Sequence, residues 1–232
     1  MNLLTDYEYQ ALLLSLKVAF FAIVWLIPLG IALAWLLARK QFIGKSLIDA
    51  IIHLPLVLPP VVIGYLLLIS MGRQGVFGNW LFEHWGLVFS FSWKGAVLAC
   101  VVVALPLMVR SIRLSLESVD GRLEQAAATL GASPIKIFFT ITLPLTIPGI
   151  ITGTMLSFAR SLGEFGATIS FVSNIPGETQ TIPLAMYTFI ETPGSEQEAM
   201  RLCLISIAIA LASMLISEWL ARVSARRLGA EA

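Results

Sequence analysis

The residues that could carry chemistry in this chain are few, and most fail on spacing. Gly44-Lys45-Ser46 has the ending of a phosphate-binding loop. That motif needs another glycine five residues before Gly44, because its backbone N–H groups must wrap the phosphates. Arg39 stands there, and apolar segments flank the loop on both sides. The chain is therefore expected to bind no nucleotide and not to be an enzyme. Cys100 and Cys203 both sit in apolar runs and read as structural thiols, with no metal-ligand spacing and no disulfide framework. His53 reads as a helix-packing side chain. No cofactor and no metal are expected in the chain. The one remaining pair is Arg160 and Glu164, four residues apart inside an otherwise uncharged stretch. Spaced so, they share a helix face. Charges at membrane depth are costly and turn toward a bundle interior or a cavity. Two readings follow: an ion pair that supports packing, or an arginine that faces a pathway and eases the passage of a dianion.

The elements around that pair are membrane spans. Hydrophobic residues make up 58% of the 232 positions and charged residues 12%, with a mean hydropathy of +0.89. A soluble domain carries about twice that share of charge, and about 20 apolar residues cross a bilayer. Five spans are predicted within a transmembrane domain over 10–220: 12–38, 49–71, 90–111, 147–172 and 200–221. A cytoplasmic loop over 112–146 and a short cytoplasmic tail over 221–232 complete the chain. The run from Ile137 to Gly177 holds only the two charges named above. As one straight helix it would be about 60 Å long, twice the hydrocarbon thickness, so it must bend, break or cross twice. Prolines and glycines are expected to interrupt the spans at Pro28 and Gly30, at Pro55, Pro59, Pro60 and Gly64, at Pro106, and at Pro148, Gly149 and Gly153. They read either as ordinary kinks or as the bending walls of a transport pathway. No internal repeat of the kind that builds many secondary transporters is visible.

Charge sets the orientation. With five spans, one side holds ten cations: Arg39, Lys40, Lys45, Arg110, Arg113, Arg122, Lys136, Arg222, Arg226 and Arg227. The other holds four, Lys17, Arg73, Lys94 and Arg201. The positive-inside rule makes the first side cytoplasmic. The N-terminus is then outside, and the C-terminus inside. A net charge of +1 gives no reason to expect a nucleic-acid partner.

The cytoplasmic loop is the most informative segment. Glu124-Gln-Ala-Ala-Ala-Thr-Leu-Gly131 is rich in helix formers and ends on a glycine suited to a positive-φ stop. Ser133 can cap a second helix with Pro134 in its first position. Ile137, Phe138 and Ile141 give that helix an apolar side. The segment reads as a helix–turn–helix lying on the inner membrane face, with a plain amphipathic interfacial helix as the alternative.

Its register resembles the coupling loop of ABC-importer permeases, Glu-Ala-Ala, three residues, Gly, nine residues, Ile-x-Leu-Pro. Here the residues are Gln125, Ala126 and Ala127, then Gly131, then Ile141, Leu143 and Pro144. Gln125 departs from the usual glutamate, and Glu124 places a carboxylate one position earlier, on a different helix face. Three further segments are similar to molybdate permease subunits: His53-Leu-Pro-Leu-Val-Leu-Pro-Pro60, Phe158-Ala-Arg-Ser-Leu-Gly-Glu-Phe-Gly-Ala-Thr168, and Val172-Ser-Asn-Ile-Pro-Gly-Glu-Thr-Gln-Thr-Ile-Pro183.

The resemblance covers nearly the whole chain. It implies an all-α membrane protein of the type I ABC-importer permease fold, with about five transmembrane helices and a coupling-helix loop. It implies a permease for molybdate, or its analogue tungstate, in the cell inner membrane. The implied partners are a second permease chain, two cytoplasmic ABC ATPase subunits, an extracytoplasmic oxyanion-binding protein and the lipid bilayer. Sulfate and thiosulfate permeases share similar motifs and remain an alternative. So does an ion-coupled secondary transporter, in which Arg160 and Glu164 would be the coupling groups. The charge count predicts that a reporter fused after Arg227 is cytoplasmic and one fused before Leu4 is external. A cytoplasmic N-terminal reporter would overturn the five-span topology.

Overall fold

The computed structural model describes residues 4–227, and among them every regular element is helical. Helix α1 (Asp6–Arg39) starts at a reciprocal cap. The Glu8 N–H donates to Thr5 Oγ1 at 3.3 Å, and the Thr5 N–H donates to Glu8 Oε2 at 2.6 Å. That cap lets the helix begin several residues before the expected span. Its 34 residues extend about 50 Å. The expected interruption at Pro28 and Gly30 does not occur, and α1 runs through both. One proline removes one ladder bond, which packing in a bundle can absorb. Gly30 serves close approach instead: a Cβ there would lie 2.3 Å from Met108 Cγ.

The segment expected as a span over 49–71 is not one helix. It comprises α2 (Lys45–His53), a 3₁₀ turn (Leu54–Leu56) and α3 (Pro60–Met71), and the two halves meet at 114°. Pro55, Pro59 and Pro60 remove three N–H donors within six residues, and Pro59, which precedes Pro60, leaves the helical region with ψ 134°. Alone, α3 covers about 18 Å, less than the hydrocarbon core. Helix α4 (Val76–Trp85) lies in what sequence left as a connection, and it stops at Gly86, whose φ is +65°.

Helix α5 (Trp93–Ser118) is capped by Ser92 and passes straight through Pro106. It continues beyond the expected end at 111, so the loop predicted over 112–146 opens as helix. Arg113, in the added turns, pairs with Glu117 at 2.8 Å and with Asp49 at 3.1 Å. Next come α6 (Gly121–Thr129), α7 (Pro134–Ile137), a π-helical turn (Phe138–Thr142) and α8 (Leu143–Leu145). The span expected over 147–172 is broken into α9 (Ile147–Leu162) and α10 (Gly166–Val172). α11 (Ile182–Glu191) and α12 (Glu196–Arg227) complete the chain. Residues 228–232 of the expected tail lie outside the described residues.

The centre is a packing of α1, α5 and α9. Leu26, Leu37, Met108, Ile112 and Leu116 are fully buried there. α9 presents Gly149, Gly153, Ser157 and Ser161 every fourth residue, all buried. Small residues at that spacing let two helix backbones approach in a membrane. A Cβ on Gly149 would meet Ser115 Cβ at 2.3 Å, and one on Gly153 would meet Met108 Sδ at 2.9 Å. The two short helices α3 and α10 pack on each other in the same way. Gly64 lies against Ala167, and Gly166 lies against Pro60.

Three described helices are long and apolar enough to cross a membrane, α1, α5 and α12, and the count rises to five if each of two bent pairs is one span. Phe20, Trp25, Leu211, Met214 and Leu215 are exposed on the long helices, as lipid- or partner-facing side chains must be.

The Gly64 contact gives a direct test. Gly64→Val places a side chain 2.5 Å from the Ala167 carbonyl oxygen. It should cost about 1–3 kcal/mol by overpacking and reduce the monodisperse protein recovered in detergent. Gly121→Ala has no neighbour within 4 Å and should leave that yield unchanged. Equal yields for both variants would remove the α3–α10 contact as a determinant of the fold.

Candidate functional site

The helix pair α6–α7 is built by local rules. Asp120 caps α6 by accepting the Arg122 N–H at 2.9 Å. α6 ends through bonds from Leu130 to the Ala126 carbonyl and from Gly131 to the Ala128 carbonyl. Gly131 has φ +83°, as its place in the sequence suggested. Ser133 then caps α7 by accepting the Lys136 N–H at 3.4 Å. In the π-helical turn the Leu143 N–H donates to Phe138 O, five residues back. Pro144 opens α8.

The candidate residues divide by direction. Gln125 and Ala126 are exposed, and Ala127 is half-buried. Ile141, Leu143 and Pro144 are half-buried in the turn that leads into α9. Glu124 points inward. Its Oε1 accepts from Arg39 Nη2 at 3.0 Å and from Thr142 Oγ1 at 2.6 Å. No α6 residue is buried, so this carboxylate is a principal tie between α6 and the helix bundle. The outer surface carries large apolar side chains: Leu123, Leu130 (88% exposed), Ile135 and Phe139. Sequence reasoning missed these four, together with Arg39 and Thr142. Leu123, Ala126 and Leu130 were visible as a stripe at helical spacing, but such a stripe ordinarily reads as a buried face.

A second polar group joins α2 to the C-terminal turns of α5. Asp49 accepts from Arg113 Nη1 at 3.2 and 3.1 Å through its two oxygens, and His53 Nδ1 lies 2.8 Å from the Asp49 carbonyl oxygen. With Arg110 and Glu117 they line a cavity of about 260 Å³. Among the described residues no three His, Cys, Asp or Glu side chains gather as a metal ion would need. Cys100 is buried beside the Ser161 carbonyl at 3.7 Å, whereas Cys203 is only half-buried.

Arg160 and Glu164 do meet, at 2.5 Å between Nη1 and Oε2, but not on one helix face as their spacing implied. α9 ends at Leu162, and Glu164 lies in the break before α10. Gly163 supplies the stop, with its N–H donating to the Ala159 carbonyl at 3.2 Å. Glu164 Oε1 accepts the Ala167 N–H at 2.7 Å, which caps α10. Its side chain is 1% exposed and that of Arg160 is 31% exposed. Oε2 has the guanidinium as its charge partner and no aligned hydrogen bond. Close by, Leu162, Phe165, Pro183, Tyr187 and Ile207 line an almost wholly apolar cavity of about 560 Å³.

Comparison with known proteins agrees with this architecture. The family model described as "Binding-protein-dependent transport system inner membrane component" matches residues 27–230. The chain is 66% identical over 227 residues to the molybdenum transport system permease protein ModB of Escherichia coli (strain K12), covering 98% of this chain and 99% of that one. It is 64% identical over 222 residues to the ModB protein of Haemophilus influenzae, covering 96% and 97%. Among solved structures, a bacterial ABC transporter involved in the import of the acidic polysaccharide alginate aligns with a TM-score of 0.75 at 16% identity. That alignment covers 94% of this chain and 80% of the other.

The pair at the α9–α10 break should behave asymmetrically on substitution. Glu164→Ala removes both the α10 cap and the partner of Arg160, and should cost about 1–3 kcal/mol, the penalty of a lost buried acceptor. Glu164→Gln keeps an acceptor for the Ala167 N–H and should retain more folded protein. Arg160→Ala leaves a buried carboxylate without its cation, and adding Glu164→Gln should recover part of that loss. The check is the folded fraction by fluorescence-detected size exclusion. Equal yields for Glu164→Ala and Glu164→Gln would show that the cap carries no weight.

Proposed function

The chain belongs to the family of binding-protein-dependent transport system inner membrane components, and from that premise we propose that it is the membrane-spanning permease of an ATP-driven importer for molybdate. Molybdate as cargo is supported by identities of 66% and 64% to molybdenum permeases over nearly the full length of the chain. One observation carries the mechanism. α6 stands clear of the bundle, with none of its residues buried and with Leu123 and Leu130 exposed. An exposed apolar helix of this kind needs a partner to cover it. A cytoplasmic ATPase subunit is that partner, and a groove on its surface receives α6.

The importer contains two copies of this chain and two ATPases, with an extracytoplasmic receptor docked outside. ATP binding draws the ATPases together and moves both α6 helices. The permease halves rock to open outward, and hydrolysis returns them to the inward-open state. The chain needs no cofactor of its own, since it supplies a path and a lever. The inner end of α1 carries Arg39 with Glu124, and its outer end carries Glu8 with Arg201. The cations gathered toward the α6 end, Arg39, Lys40, Lys45, Arg110, Arg113, Arg122 and Lys136, support a cytoplasmic α6 and an external N-terminus. Both oxygens of Glu164 are engaged, by Ala167 and by Arg160, which favours a structural carboxylate over the mobile proton carrier that a secondary transporter would need.

Vesicles holding the permease and its ATPase test the reading. Molybdate uptake should require internal ATP and an external receptor. Gly131→Pro should abolish uptake while membrane insertion persists, because proline cannot adopt the +83° φ of that turn. Uptake that continues without ATP, or at full rate without receptor, would refute the proposal. Sulfate accepted as readily as molybdate, with the receptor matched to each, would move the cargo assignment to the sulfate permeases.

A further inference from the structure

We infer that Glu124 is a positioning strut that fixes α6 to the inner end of α1, and that it is not part of the surface offered to the ATPase. This rests on the proposed function for what α6 does, and on geometry alone for how α6 is held. A single oxygen, Glu124 Oε1, takes donors from two distant parts of the chain: Arg39 Nη2 in the last turn of α1, and Thr142 Oγ1 in the π-helical turn before α9. Thr142 is buried, and the Arg39 and Glu124 side chains are about three-quarters covered. Arg39 Nε is buried without a hydrogen-bond partner, so the guanidinium reaches Glu124 through its end nitrogen alone. Charge-assisted bonds of this kind fix geometry more firmly than neutral ones. Since α6 buries no side chain, a displacement of α6 has few other routes into the bundle. Gln125, the next residue, is exposed and takes the outward position. The one-residue offset between carboxylate and amide therefore separates two tasks: Glu124 grips the permease, and Gln125 faces out.

A strut predicts that its two ends fail alike. In the reconstituted importer, Glu124→Ala and Arg39→Ala should each retain the ATPase on co-purification. Each should lower molybdate taken up per ATP on the order of tenfold, within the usual range of coupling between sites. The double variant should be no worse than either single one, since interacting residues are not additive. Independent effects that multiply in the double variant would overturn the strut. So would loss of ATPase binding in Glu124→Ala but not in Arg39→Ala, because Glu124 would then be a docking contact. A second measurement does not depend on transport. Spin labels at Lys40→Cys and Thr129→Cys, with Cys100 and Cys203 replaced by serine, report the separation of the end of α1 from the end of α6. The distance distribution should be narrow in the otherwise unaltered protein and broad in both alanine variants. An unchanged distribution in the variants would refute the strut even if wild-type uptake failed, a failure that would instead count against the proposed function.

Discussion

A helix interrupted inside a bilayer leaves backbone groups that no water can satisfy, and the break between α9 and α10 is where this chain meets that constraint. The accounting there is close. The Gly163 N–H donates to Ala159 O and the Glu164 N–H to Ser161 O. The Thr168 hydroxyl reaches the Phe165 carbonyl at 2.8 Å, and the Ala167 N–H is taken by the Glu164 carboxylate. A carboxylate at a helix N-terminus also meets the positive end of that helix's dipole. A negative charge buried so deeply needs a counter-charge, which Arg160 provides from the preceding turn. Cap, ion pair and break form one device. Because α10 starts where it does, Gly166 and Ala167 lie against Pro60 and Gly64 of α3, and the short helix α3 gains a neighbour of matching length.

The same economy governs the ends of the bundle. Among the described residues α1 is the longest element, and charged groups tie down both of its ends. At its N-terminal end, the fully buried Glu8 accepts from Arg201 at 2.9 Å while also holding Thr5. At its C-terminal end, Arg39 reaches Glu124. Exposed ion pairs contribute little to stability, but these join elements remote in sequence, 193 and 85 residues apart. Their worth lies in register: they fix which turn of α1 faces α12 and which faces α6. The apolar surfaces between are non-directional and cannot specify that alone.

Much of this was readable in the sequence wherever a local rule acted. Gly131 had to stop a helix with positive φ, Ser133 had to cap the next, and both do so. The long charge-free run had to break, and it breaks at Gly163. The misreadings share a cause. Pro28 and Pro106 looked like interruptions, yet α1 and α5 run through them, whereas Pro55, Pro59 and Pro60 turn the chain by 114°. A single proline costs one hydrogen bond and three in close succession end the ladder, but which outcome holds depends on neighbours that periodicity does not reveal. Arg160 and Glu164 were paired by a spacing that assumed an unbroken helix, and the contact survives for another reason. Arg39 and Thr142 could not be found, because nothing local marks a partner 85 or 18 residues from Glu124.

The distribution of polar groups bears on what a permease of this kind must avoid. A membrane path that held a dianion tightly would slow its own turnover, since conduction needs binding weak enough to leave. Arg160 lies in the last turn of α9, and its charge is committed to Glu164 at 2.5 Å. The cavity beside that break is lined almost wholly by carbon. On α9 the buried Ser157 hydroxyl faces α5 and donates to the Ala104 carbonyl. Recognition of a tetrahedral oxyanion requires several donors converging on one point, and this apolar lining offers few.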